Sequence, residues 1–408
     1  MDNIIALAKR RGFIYPSSEI YGGLANTWDF GHYGTLLKNN IRDRWWKTFV
    51  LDHEDMVGVD ASVFLNPQVW QASGHVAGFT DALVDCKNCH RRTRADHLIE
   101  DSLKNDTKVE GLSTEKLTAI IKNNKLKCPT CGSADLTEVR KFNLLFETQL
   151  GIVEEKKAKV YLRGEIAQGI FMNFKNVLDT MRVKIPFGIA QVGKAYRNEI
   201  TLGQFVHRTL EFDLMEFEYF IRPETWQKTY DYWRQEMWNF ALLLGLAKSK
   251  LRWREHEEFE RSHYSKKTMD IEYEYPFGFK EMFGIAYRTD FDLSNHAKHS
   301  GRDLQYRDAR TGDKFTPHVI EPTFGLSRLV GIVLINAYHE EEVNGIKRLV
   351  LRLEPRLAPV KIAVFPPYCL TVDFQTKEDN AVTVRHRDTM QQERIGISEL
   401  KDYFAKLL

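Results

Sequence analysis

Apolar and polar positions follow two different periods along this chain. In residues 36–50, "LLKNNIRDRWWKTFV", apolar side chains recur at helical spacing and predict a helix. Residues 224–247, "ETWQKTYDYWRQEMWNFALLLGLA", extend that pattern into a long amphipathic helix, with Pro223 at its start, where a missing N–H costs little. Strand signals dominate residues 160–220 and return at 268–275 and 283–292. Residues 194–220 read as a β-hairpin that contains Arg197 and Glu199, with residues 211–220 as its second limb. "HVIEPTFGLSRLVGIVLINAYHEE" (318–341) reads as a strand, a glycine-containing turn and a buried helix. Strands gathered around an antiparallel hairpin, with helices segregated, predict an α+β fold rather than a doubly wound sheet.

The chain has 408 residues, too many for one core. Residues 1–357 read as the main domain, and residues 86–140 as an insertion in it: a Cys-x-x-Cys pair, a polar helical stretch, then a second pair. From residue 358 the character changes. "VKIAVFP", "YCLTVDF" and "AVTVRHRD" are short strand candidates and "SELKDYFAKLL" a terminal helix, so residues 358–408 form a second, small α/β unit. A net charge of +2 permits a nucleic-acid partner without requiring one, because phosphate binding needs local clusters. The start, "MDNIIALAKRRGF", has no signal-peptide core, and the apolar run at 329–338 is far short of the ~20 residues a membrane span needs. A cytoplasmic protein without a membrane contact is expected.

Arg197 is a fork donor fit for phosphates, Phe212 a face for a base, and Glu199 an acceptor for an exocyclic amine. Glu216 is placed to hold an ammonium group. The plainer reading is a solvent-facing hairpin with cross-strand ion pairs. Glu165 between apolar runs, Glu281 at a strand entrance, and Glu321 and Arg328 around a glycine turn add weight to a site. Cys86, Cys89, Cys128 and Cys131 form two pairs of the kind that hold tetrahedral zinc, and Gly132 fits a knuckle. The alternative is free thiols left from a degenerate finger. His90 reads as polar surface, and Cys369, flanked by apolar residues, is expected to be buried.

"SEIYGGLANTWDFGHYG", "LNPQVWQASGHVAGFTDALVDC", "FGIAQVGKAYRNEI" and "HVIEPTFGLSRL" follow, in order, segments of one family. From end to end the chain resembles the glycyl-tRNA synthetases of the homodimeric class II type. "YRNE" looks like motif 2 of that class, residues 325–328 like motif 3, and Asn66-Pro67 like motif 1, which builds the dimer interface. The resemblance implies an antiparallel sheet flanked by helices, a zinc-ribbon-like insertion and a C-terminal anticodon-binding domain. It implies ATP-dependent attachment of glycine to tRNA(Gly) through glycyl-adenylate, with ATP bound as its Mg2+ complex.

Residue by residue, Arg197, Glu199 and Arg328 are then catalytic: Arg197 on the α-phosphate, Glu199 on the adenine amine, Arg328 on the γ-phosphate or the leaving pyrophosphate. Asn198, His207, Arg208, Thr209, Leu210, Glu211 and Phe212 would wrap the nucleotide, with Glu281, Met282, Gly325, Leu326 and Ser327 completing its site. Glycine would contact Arg94, Glu165, the run Phe212, Asp213, Leu214, Met215 and Glu216, and the run Glu321, Pro322, Thr323, Phe324 and Gly325.

Several positions depart from the family pattern. Gly164 and Ile166 stand where Pro and Thr are usual, removing a hydroxyl beside the glycine site. His207 and Leu210 replace Phe and Arg, the 201–205 loop lacks a proline, Thr323 replaces Ser, and Ser327 replaces an acid. Two other functions compete: a class II ligase with another amino acid, and a non-catalytic relative such as the accessory subunit of mitochondrial DNA polymerase. The second lacks the ATP-site residues retained here. In the C-terminal unit no crossover helix fits at Pro366-Pro367, which predicts that roughly 50 residues are missing there.

Overall fold

The computed structural model of the chain describes residues 1–103, 109, 111–152, 158–200, 205–343, 345–362 and 366–406. It forms two compact units, Met1–Pro359 and Val360–Leu408.

The first unit is built on a seven-stranded sheet. Its strands are β1 (Met56–Gly58), β2 (Phe187–Tyr196), β3 (Glu211–Ile221), β4 (Leu251–Glu255), β5 (Lys267–Tyr275), β6 (Gly278–Thr289) and β7 (His318–Gly325). They lie in the order β4-β5-β6-β7-β3-β2-β1, and only the edge pair β1–β2 is parallel. Five helices matter to the site: α1 (His32–Trp46), α2 (Ala167–Met181), α3 (Trp226–Leu243), α4 (Phe291–Ser300) and α5 (Leu326–Ala337).

Period-two alternation divides β3 between two environments. Met215, Phe217 and Tyr219 enter the main core, where Trp45 of α1, Trp233 and Phe240 of α3, and Leu329 of α5 cover one sheet face. Phe220 joins a second core beneath α2, with Phe171, Phe174 and Phe187. Glu216 and Glu218 share Phe220's face, toward the end that α2 leaves open. The turn Phe205–His207 lies close against α5: a Cβ added to Gly331 would stand 2.7 Å from Val206 Cγ2.

Several sequence-based boundaries change. The 160–220 stretch is not all strand, because residues 167–181 are helix α2. Ala167, Gln168, Gly169, Ile170 and Phe171 are all buried there, so no polar stripe marks the helical period. Arg197 and Glu199 lie within the hairpin, in its connection just past the end of β2, where the Arg197 N–H still bonds the Leu210 carbonyl. Residues 291 and 292 open α4 instead of closing a strand. The insertion holds two helices, Ala95–Leu103 and Thr114–Asn123, around a small core of Leu98, Ile99, Leu117 and Ile121. Of the 201–205 loop, residues 201–204 lie outside the described residues.

The second unit is an antiparallel sheet of Tyr368–Thr371, Ala381–His386 and Gln392–Gly396, closed by the helix Leu400–Ala405. Arg394 clamps Asp373 and Asp379 across it. Its expected first strand is not formed at 358–362, and residues 363–365 lie outside the described residues. Cys369 is exposed, because its edge strand presents only Tyr368 to partial cover.

Trp233 is 1% exposed and packs edge-on to Phe217 and Tyr219, whereas Ile20 is 88% exposed. In denaturant unfolding, Trp233→Ala is expected to cost about 3–5 kcal/mol and Ile20→Ala about 0.5 kcal/mol or less. Equal losses would contradict the core described above.

Candidate functional site

A cavity of about 280 Å³ opens on the α2 side of the sheet, over β3, β7 and β6. Its position follows from the strand register. Glu216 of β3 sits opposite Thr323 of β7, which sits opposite Gly284 of β6, which sits opposite Asp270 of β5. Glu321 is one step along, opposite Ala286. The row has small side chains at its centre and carboxylates at its flanks.

One guanidinium organises those acids. Arg288, fully buried, donates through Nε and Nη2 to Asp292 at 2.7 and 2.9 Å, and through Nη1 to Glu321 at 2.6 Å. It stacks 3.7 Å from the Tyr264 ring centroid, and Glu165 stands 3.8 Å from Nη2. Gln168 donates to both Glu165 and Asp292 at 2.9 Å. His75 Nε2 lies 3.2 Å from Glu165, and its Nδ1 2.8 Å from the Ser73 hydroxyl. Burial pushes the Glu165 carboxyl up, but His75 and Arg288 outweigh it and hold this acid below the usual range. Burial raises Glu321 to about 7 against the pull of Arg288. It raises Glu216 well above the usual range, with Glu321 and Glu165 adding to the effect. A pocket whose acids are this short of positive charge favours a small cation.

The other end is basic. Arg197 Nε donates to the Gly164 carbonyl at 2.9 Å, and its guanidinium lies over the rings of Phe79 and Phe212 at 5.1 and 5.3 Å. Arg328, on the first turn of α5, reaches back to Glu281 at 3.0 Å and holds that carboxyl below its usual value. Arg208 lies 3.7 Å from Glu199. His207 bonds the Tyr275 hydroxyl at 3.1 Å, and burial, then Arg328, keeps its ring neutral. His256 and Asp270, 2.6 Å apart, line the same cavity.

The structure therefore brings together Arg197, Glu199, His207, Arg208, Thr209, Phe212, Glu281, Ser327 and Arg328 at one end, and Glu165, Glu216, Glu321 and Thr323 at the other, with Asp213, Leu214 and Gly325 on the wall. It does not bring the rest. Met215, Met282, Phe324 and Leu326 belong to the main core, Pro322 lies on the same face as Phe324, and Glu211 pairs with Lys194 outside. Asn198 and Leu210 contribute backbone bonds to Leu144 and Asn26. Arg94 stays in the insertion, bound to Asp96 at 2.5 Å and Asp81 at 3.3 Å. Ile166 packs with Ala195 and Leu214 instead of facing the cavity. Ser327 supplies its hydroxyl to the Asp213 backbone N–H at 2.9 Å. Sequence reasoning missed Arg288, Asp292, Gln168, His75 and Tyr264; the only available signal was the four-residue spacing of Arg288 and Asp292.

In the insertion, Cys86 Sγ lies 3.5 Å from Cys131 Sγ, and Cys89 Sγ 3.6 Å from Cys128 Sγ; all four sulfurs fall within 4.8 Å of one another. A tetrahedral zinc with Zn–S near 2.3 Å needs edges of about 3.8 Å. The two turns match: the N–H of His90 bonds the Cys86 carbonyl as that of Gly132 bonds Cys128, and both residues have positive φ, 57° and 72°. Four thiols so converged fit a structural ion.

Residues 365–407 match the family model described as "Anticodon binding domain". Over the whole chain, the glycine–tRNA ligase of Caldanaerobacter subterraneus subsp. tengcongensis is 48% identical, covering 100% of this chain and 98% of the relative. That of Clostridium tetani is likewise 48% identical at the same coverage. That of Acetivibrio thermocellus is 50% identical, over 99% and 97%.

The acidic end generates its own test. Without Arg288, the buried carboxylates would hold protons in the folded state above the pH at which they lose them unfolded. Their ionisation then favours unfolding, and stability falls as pH rises. Arg288→Met is expected to cost about 3–5 kcal/mol near pH 8 and clearly less near pH 5.5 in denaturant unfolding. A loss independent of pH would show that Arg288 is not the counter-charge.

Proposed function

The chain belongs to the glycine–tRNA ligases, and on that premise we propose how its residues divide the reaction. It is an aminoacyl-tRNA synthetase, a ligase that attaches glycine to tRNA. ATP with Mg2+ is the energy source general to such ligases. The observation that carries the residue assignment is the polarity of this cavity, with acids at one end and arginines at the other.

Glycine enters with its ammonium toward Glu165, Glu216 and Glu321. Its carboxylate then points toward Arg197. Arg197 stabilises charge on the α-phosphate as the carboxylate attacks in line and pyrophosphate leaves, giving glycyl-adenylate. Arg328 holds the departing phosphates, and Glu281 beside it would help to hold the metal they carry. Glu199 accepts from the adenine amine and Phe212 offers its ring. The hydroxyl of the tRNA's terminal adenosine next attacks the glycyl carbonyl, and AMP leaves. A side chain on the amino acid would meet Thr323 and the cross-strand acids, so glycine is selected by lack of room.

Three finer points belong to this reading. The four cysteines hold a zinc ion that fixes the insertion. The protein is a homodimer joined near the edge strand β1, where Leu51 and Met181 are 69% and 58% exposed beside Val57 and Trp46. It works in the cytoplasm on tRNA(Gly); among the described residues no helix is long and apolar enough to cross a membrane. On this reading the C-terminal unit is short of an internal stretch near Pro366; the whole-chain alignment with the C. subterraneus relative, 453 positions for 408 residues here, leaves room for one.

Arg197→Ala is expected to cut glycine-dependent pyrophosphate exchange by about 10²–10³-fold. Exchange surviving that change would remove Arg197 from the phosphate; exchange stimulated by another amino acid, or by none, would remove the glycine assignment. For the insertion, native mass spectrometry is expected to find about one zinc per chain, released in Cys128→Ser. Metal-free protein prepared without chelator would refute the site.

A further inference from the structure

Glu218 is a fully buried acid that the reaction above does not use. It follows Glu216 on the same face of β3, yet it does not line the cavity. Neither of its carboxyl oxygens has a hydrogen-bond partner among the described residues, and Glu216 Oε1 has none either. Carboxyl oxygens of Glu216, Glu218 and Glu321 all lie within 4.8 Å of one another.

The charges around it do not balance. Glu216 faces Glu218 from its own strand, Glu321 from β7, Asp292 from α4, and Glu165 lies before α2. The guanidinium facing Glu218 among the described residues is that of Arg288 of β6, while the buried Arg163, bonded to the Lys194 and Ala61 carbonyls, lends charge only on the Glu216 side. Arg288 is already committed to Asp292 and Glu321, and Glu165 is served by Gln168 and His75. A glycine ammonium adds one positive charge, at the cavity and not at Glu218. An ionised carboxylate with no donor on either oxygen, sealed from water, costs several kcal/mol. A protonated carboxyl there becomes a donor, and Glu216, whose Oε1 is unserved and whose carboxyl lies within reach, is the acceptor it can meet. Burial, then the Glu321 charge, pushes the Glu218 carboxyl well above the usual range.

We propose that Glu218 is a positioning residue that stays protonated in the resting enzyme and donates a hydrogen bond to Glu216, fixing the carboxylate that faces the glycine ammonium. The inference rests on the reading of this cavity as the glycine site. It divides the two neighbouring acids by role: burial raises both, the pair holds one proton on Glu218, and the hydrogen bond from Glu218 lowers Glu216, which is left as the carboxylate toward substrate. Glu218 is buried and does not line the cavity, so the substrate meets it through Glu216.

Two measurements test this. Glu218→Gln keeps the shape and a neutral donor, and is expected to hold the KM for glycine within about twofold. Glu218→Met keeps the bulk without the donor, and is expected to raise that KM by about tenfold, with kcat and the KM for ATP far less affected. The infrared difference spectrum of substrate-free protein at neutral pH, wild type minus Glu218→Gln, should show the carbonyl stretch of a protonated carboxylic acid. The proposal is overturned if Glu218→Gln raises the glycine KM as much as Glu216→Gln does, since Glu218 would then be an ionised ligand. It is equally overturned if Glu218→Met matches wild type, or if the carbonyl band is missing. The spectrum is read without substrate, so it separates failure of the proton assignment from failure of the glycine reading.

Discussion

A guanidinium sealed inside the protein must be answered by acids, and Arg288 is answered by acids from several elements at once. Its bonds tie β6 to the first turn of α4 through Asp292 and to β7 through Glu321, while Gln168 extends the network to Glu165 before α2. Such a cluster adds little net stability, because desolvation offsets most of the attraction. What it supplies is position. Glu165 and Glu321 are held from behind, so these acids meet substrate with fixed directions and with charges already set by their surroundings.

The sheet makes this arrangement possible by using each strand twice. Odd positions of β3 pack against α1, α3 and α5, while even positions carry Glu216 and Glu218 to the other side. A slip of one residue would exchange the two sets and bury acids in the main core. The aromatic packing around Trp45, Phe217 and Trp233 therefore sets the register that function needs. At the other end, β7 runs straight into α5, so Arg328 projects from a rigid turn, and Gly331 lets the Phe205–His207 turn lie directly on that helix.

The parts legible in the sequence were those with a visible period or a familiar motif. The amphipathic helix around Trp233 and the strand holding Glu216 showed their faces openly, and the motif residues Arg197, Glu199 and Arg328 do share one cavity. Helix α2 was hidden because it is buried on all sides at its start. Arg288 was hidden for a related reason. A lone arginine in "GIAYRTDF" looks like a stray surface charge, and nothing local says that Glu321, 33 residues later, pairs with it. Runs read as continuous binding segments, such as 212–216 and 321–325, fail at alternate residues. A strand can offer a ligand only every second side chain, which is why Met215 and Phe324 fall in the core.

The two ends of the cavity also explain how a ligand as small as glycine is oriented. A zwitterion has no side chain to grip, so only its charges can tell one end from the other. Glu165 and Gly164 are chain neighbours, yet Glu165 belongs to the acidic ring while the Gly164 carbonyl anchors Arg197. One short segment thus sets the spacing between the group that takes the ammonium and the group that takes the carboxylate. Sheet and helix fix that segment from both sides, through β2 and α2. The substrate's charges need only fall along the direction that the backbone already defines, which places the attacking oxygen toward the phosphate before any chemistry begins.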